Sequence, residues 1–359
     1  MKVRTSPLFS EYVIDELTME ESPFSALLDC LDGNGTVDVP KGPFGNIVTD
    51  SLSRPLKSIE VLPGQTDRYV QEILRTSLSR TEAELARCGE WTCARLYEFL
   101  VSLIFNDGHF TLQDLLLMVE WDWNNHAEGA LAAFYSSCMS MATCLKSMDV
   151  KLDRYFVEEN RRKCKMEISL RSKIPSRKKC RQAMLADSSD WLVYVPFADC
   201  RMQLGGSALE KAAKSSGAPE MPLESCARYF ADCYEIVREL VEDGIITAGI
   251  PTGRGGLACA AEKFRSHKKL RMDIGGIMNA SGEADPVKIL FAELPGVLLQ
   301  IKDSDFDYVD SQFLLQEVAY YPLGRPGISP GTLETVSDPG CGVGGILQSL
   351  LNSASEGED

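Results

Sequence analysis

The sequence predicts an α/β protein. Two observations carry that prediction. Short apolar runs, Trp191–Val195, Gly244–Gly249 and Ile289–Ile301, alternate with helix-patterned segments, and glycine clusters mark the junctions at Leu204–Ala208 and Gly253–Gly256. Strands alternating with helices, with glycine at the turns, layer helices onto a sheet. A length of 359 residues exceeds one ordinary core, so two domains are expected.

From the N-terminus, residues 1–65 carry Pro23, Gly33, Gly35, Pro40, Gly42, Pro43 and Gly45, a punctuation that predicts mostly loops. Thr81–Phe105 reads as a helix. Thr81 and Glu84 have capping-box spacing, and Leu85, Cys88, Trp91, Leu96, Phe99, Leu100 and Leu103 form its apolar stripe. Leu112–Val119 is mostly apolar, compatible with a buried strand or a helix. Ala127–Met148 reads as a second helix, in which Met139, Met141 and Met148 serve as core filler.

Between Asn160 and Arg181 the charge changes sharply. Arg161, Arg162, Lys163, Lys165, Arg171, Lys173, Arg177, Lys178, Lys179 and Arg181 stand against Glu167 alone. The run (161–181) reads either as a solvated loop or hairpin edge, or as a surface for an acidic partner or nuclear-import receptor. Ser225–Asp243 is the clearest helix, with Tyr229, Phe230, Cys233, Ile236, Val237, Leu240 and Val241 at helical spacing and Gly244 as C-cap. Asp303–Val318 is expected to be a helix, Tyr320–Leu323 a short strand and Gly324–Gly331 a linker, ahead of a polar, acidic tail from Ser353.

The bulk numbers exclude several classes. A net charge of −15 argues against general nucleic-acid binding, which needs a basic face. No apolar run is long enough to span a membrane, and the N-terminus lacks the apolar core of a secretory signal. Twelve cysteines include no C-x-x-C pair, and with three histidines they point to no zinc site. Cys226, Cys233 and Cys259 fall on apolar helical positions, and a reducing, intracellular compartment fits them. His109, His126 and His267 have no partner pattern and read as surface residues.

Three motifs carry a family resemblance. Leu204-Gly-Gly-Ser-Ala-Leu-Glu210, Gly249-Ile-Pro-Thr-Gly-Arg-Gly-Gly-Leu257 and Leu290-Phe-Ala-Glu-Leu-Pro-Gly296 resemble L-G-G-[ST]-A-L-A, G-H-D-x-S-D-G-G-L and L-F-x-E-x-P-G of phosphoribosylformylglycinamidine (FGAM) synthase, also called FGAR amidotransferase. Glu98–Phe105, Glu120–Trp123 and Ala127-Glu128 follow in the family's order for E-A-L-T-N-L-x-F, N-W-M-W and G-E. The resemblance covers roughly residues 85–325. It implies a PurM-like, AIR synthase-related architecture of two α/β domains: an irregular segment over 1–65, an N-terminal-like domain over 66–185 and a C-terminal-like domain over 186–325. Residues 326–359 are then a linker with a remnant of the amidotransferase elbow, in which Cys341 stands on or near the nucleophile's place.

The family's reaction is ATP-dependent and needs carboxylates to hold magnesium. Glu98 is retained, but Ser102 replaces the motif's Asn, and Ile250, Pro251, Gly253 and Arg254 replace its His, Asp, Ser and Asp. Asp153–Glu158 stands where G-K-D-S is expected. An Arg at a cation site repels the cation. The expectation is therefore a catalytically inactive relative with no metal and no cofactor. Remnants of the nucleotide site survive at Glu98, Gly205, Gly206, Ser207, Gly255 and Gly256, and the glycines serve either the fold alone or backbone-amide contacts to phosphate. Gammaherpesvirus tegument proteins resemble the same synthase without its activity and act on host nuclear antiviral proteins. That likeness implies protein partners and a cytoplasmic, nuclear or virion-tegument location. The alternative is a synthase subunit that binds Mg-ATP in purine biosynthesis.

Overall fold

The computed structural model describes residues 6–37, 47–50, 66–75, 82–106, 110–172, 180–215 and 217–336. The N-terminal part contains β1 (Glu11–Ile14), β2 (Leu17–Thr18), α1 (Pro23–Leu28), β3 (Leu31–Val37), β4 (Ile47–Asp50) and α2 (Thr66–Arg75). These elements correct the loop-dominated expectation for residues 1–65 in its described portions. Pro23 starts a helix instead of breaking the chain: Ser22 and Ser25 cap each other's backbone and Pro23 sits at the first helical position, where no donor is lost.

Next come α3 (Cys88–Asn106), β5 (Leu116–Trp123), α4 (Ala130–Met148), β6 (Lys151–Glu159) and β7 (Lys165–Leu170), with the sheet order β3-β6-β5-β7. The α3 helix starts at Cys88 after a 3-10 turn over Leu85–Arg87, later than the expected start at Thr81, which lies outside the described residues. Glu84 is extended, with φ −91° and ψ 97°. Leu112–Val119 resolves into a 3-10 turn followed by β5. Along β5, Leu117, Val119, Trp121 and Trp123 alternate inward, the period-two pattern of a strand packed on one face. Both tryptophans meet Phe134 of α4 edge-on, at centroid distances of 6.1 and 5.7 Å. Part of the basic run forms the β6–β7 connection, which crosses the end of β5, and edge strand β7. Its Lys173, Arg177, Lys178 and Lys179 lie outside the described residues.

The second half runs β8 (Trp191–Pro196), α5 (Ala208–Ala212), α6 (Ala227–Glu242), β9 (Ile246–Thr252), α7 (Gly256–Arg265), β10 (Lys268–Asp273), α8 (Gly275–Ser281), α9 (Pro286–Phe291), β11 (Gly296–Ile301), α10 (Phe306–Leu315), β12 (Tyr321–Gly324), β13 (Pro326–Pro330) and β14 (Leu333–Val336). Its main sheet has the order β12-β8-β11-β9. Every residue of β11 is buried, as expected for a strand with neighbours on both edges and cover on both faces. The buried Gln300 is satisfied there by Asp190 and by the backbone of Leu185. The expected linker Gly324–Gly331 is mostly strand: β13 pairs antiparallel with β10. Gly327 permits this approach, because a Cβ there would lie 1.8 Å from the Lys269 carbonyl oxygen.

Helix α3 joins the two halves. Tyr97 stacks on Phe230 of α6 at 4.3 Å and donates to the Leu223 carbonyl at 3.0 Å. Phe105 packs against Gly249 of β9, where a Cβ would sit 2.4 Å from a ring carbon. These contacts fix the rotation of α3 and aim Trp91, Arg95 and Glu98 at the glycine turns of the second half.

Candidate functional site

A cleft of about 130 Å³ opens between α3 and the two glycine turns. Trp91, Ala94, Arg95 and Glu98 of α3 form one wall; Gly205, Gly206, Gly253, Arg254 and Glu293 are on the other. The structure thus brings Glu98, Gly205 and Gly206 to one cleft. Ser207, Gly255 and Gly256 build the turns behind them.

The first turn is fixed by its own residues. Gly206 adopts φ +76°, which suits glycine. Ser207 caps α5: its hydroxyl donates to the Leu204 carbonyl at 2.6 Å and accepts from the Glu210 amide at 3.2 Å. The Glu210 carboxylate folds back over the turn, accepting from the Gly206 amide at 2.7 Å and the Ala218 amide at 3.2 Å. Arg87 grips the same carboxylate with both guanidinium arms, at 2.6 and 3.1 Å, and lies 3.2 Å from Glu220. Burial pushes the Glu210 carboxyl up, but the Arg87 hydrogen bond and the two amides outweigh it and hold the group below its ordinary value.

The second turn is held from below by Glu293. One of its oxygens accepts from the Gly255 amide at 2.7 Å and from the Ala208 amide at 2.8 Å, tying the two turns together. Burial raises the Glu293 carboxyl against the pull of those amides. Gly256 closes the turn, its amide donating to the Gly253 carbonyl at 2.7 Å. Ile250 and Pro251 are in β9, and Arg254 stands on the cleft rim.

Glu98 accepts from Arg95 at 2.8 Å, one turn back on α3. The Ser102 hydroxyl donates to the Phe99 carbonyl at 2.6 Å, back along its own helix. Asp153 is within ion-pair distance of Arg154 and Arg171. No group of three or more potential ligands that could hold a metal ion occurs among the described residues. Cys341 lies outside the described residues. Sequence reasoning missed Arg87, Glu210 and Glu293 as site residues. Glu210 was detectable, since it departs from the alanine of the motif, whereas nothing local marks Arg87 as its partner.

No family model matches the chain. Over 233 residues, 60% of the chain, it is 25% identical to human phosphoribosylformylglycinamidine synthase. The chain is thus similar in sequence to part of FGAM synthase. It matches only 17% of the length of the human synthase. Its fold is similar to T. maritima PurL complexed with FGAR, with a TM-score of 0.52 over 77% of this chain and 48% of that one, at 8% identity. T. maritima PurL complexed with ATP gives a TM-score of 0.50 over 76% and 47%, at 7% identity.

Proposed function

We propose that this FGAM synthase relative is catalytically inactive and works as a protein-binding factor. The observation that carries the reading is Glu210. At a position where the synthase motif has alanine, its carboxylate occupies the Gly206 amide and is clamped by Arg87. A phosphate approaching that turn meets a carboxylate instead of free N–H donors. On the same wall Arg254 replaces a motif aspartate, and across the cleft Glu98 is already engaged by Arg95. One matching carboxylate is too few for the near-octahedral oxygen shell of Mg²⁺. On this reading the protein needs no cofactor.

The partner side of the proposal draws on the loop that joins β6 to β7. The Asn160 side chain accepts from the amides of Arg162 and Lys163 and presents the exposed tip Arg161-Arg162-Lys163. Such a tip suits an acidic protein or an import receptor and favours nuclear work, as for the tegument proteins that resemble the same synthase. No helix is long and apolar enough to cross a membrane among the described residues.

Titration calorimetry with Mg-ATP tests the inactive reading, which expects no binding heat. Heat that Glu98→Ala abolishes would overturn it. The retained Glu98 favours a second reading, a synthase subunit completed by a partner chain, and FGAM formation on adding such a chain would establish it.

A further inference from the structure

The outer face of α10 is the unexplained surface of this molecule. Its inner face is anchored normally: Val309 and Phe313 are buried, Phe306 meets Trp191 at 5.0 Å and Phe313 stacks on Tyr320 at 5.1 Å. The face opposite should be polar on a surface helix. Instead Tyr308, Leu314 and Leu315 are 47, 65 and 78% exposed. Tyr308 and Leu315 are seven residues apart, two helical turns, and lie along one side, with Leu314 flanking them about 100° round the helix from Leu315.

Charge selects the occupant. From Asp303 to Gly324 the sequence contains no Lys or Arg, while Asp303, Asp305, Asp307, Asp310 and Glu317 surround the apolar stripe. Two copies of this face would bring like charges together, in a chain whose net charge is already −15. We infer that α10 docks, as a preformed helix, into an apolar groove rimmed by Lys or Arg on a partner protein. Leu314 and Leu315 are the anchors, Tyr308 extends the contact, and the carboxylates set orientation and association rate. The inference extends the protein-binding reading, but its test is independent of the nucleotide site.

The probe is a fluorescein-labelled amphipathic Leu/Lys peptide whose leucines follow helical spacing, titrated with the whole chain and followed by anisotropy. Saturable binding is expected. Leu314→Ser with Leu315→Ser should weaken it by about ten-fold or more, and unchanged circular dichroism and melting would show that the variant is folded. A scrambled peptide of equal charge separates shape from general attraction and should bind no better than it does to the double variant. Equal binding of the peptide to both proteins, or equal binding of the scrambled peptide to the unaltered chain, overturns the inference. A dimer in analytical ultracentrifugation that the double variant loses would also overturn it, naming a second copy as the occupant. None of these outcomes alters the Mg-ATP calorimetry, so the two readings fail separately.

Discussion

Replacing Arg87 with Met gives the sharpest test of the Glu210 lock. Arg87 and Glu210 side chains are 12 and 5% exposed, so the substitution strands a carboxylate out of water. Breaking a buried ion pair from one side costs about 3–5 kcal/mol. The amides of Gly206 and Ala218 still donate to Glu210, which places the loss near the lower end, about 3 kcal/mol at pH 7. The pH dependence gives the sign. In the unaltered chain the Glu210 pKa is depressed. Its contribution is therefore complete above the ordinary carboxylate value and fades as pH falls through the folded value. In Arg87→Met the largest lowering influence is gone and burial dominates, so the pKa rises above the ordinary value. The variant then recovers stability as pH falls from 7 towards 4.5, and the gap to the unaltered chain narrows. Urea unfolding followed by tryptophan fluorescence at both pH values measures this. Adding Glu210→Gln should restore most of the loss at pH 7, because it removes the stranded charge. A deficit below about 0.5 kcal/mol, the size of an ordinary surface substitution, or one that widens in acid, would refute the reasoning.

Glu293→Ala leaves the Ala208 and Gly255 amides without their carboxylate; a loss of about 2 kcal/mol or more is expected in urea unfolding. The same variant should gain more thermal stability from added sulfate than the unaltered chain does, because its amides are open to an anion. Gly256→Ala combines φ +68° with a Cβ 2.4 Å from the Leu290 carbonyl oxygen; a loss of about 3 kcal/mol or failure to accumulate as soluble protein is expected. Among the eleven described cysteines, all free, only Cys180 and Cys200 are not buried, so iodoacetamide on the native chain should label those two. Burial pushes the Cys180 thiol up to about 11. Its labelling should therefore speed up roughly ten-fold per pH unit between 7 and 10, as read by mass spectrometry of the digest.

The parts of the fold legible in the sequence were those whose burial is dictated by their own side chains. The runs that became β8 and β11 are apolar because both faces are covered, and the α6 stripe repeats at helical spacing. The N-terminal strands were not legible. The two residues of β2 are both exposed, so pairing to β1 decides its state and pattern does not. The β13 strand was hidden by glycine and proline, which mark loops by propensity but here allow an edge to approach Lys269. At the site, the glycines stood out in the motifs. The salt bridge to Glu210 did not, since its partner is 123 residues away in sequence and only the fold brings the two together.

Glu210 also bears on how the turn responds to its surroundings. A loop that borrows its anion from a nucleotide changes shape when the nucleotide leaves. On the proposed reading this loop carries a permanent substitute, and its outline would not follow the ATP level of the cell. A partner reading the surface around Gly206 would meet one form at all times, and control of that encounter would have to lie outside the cleft.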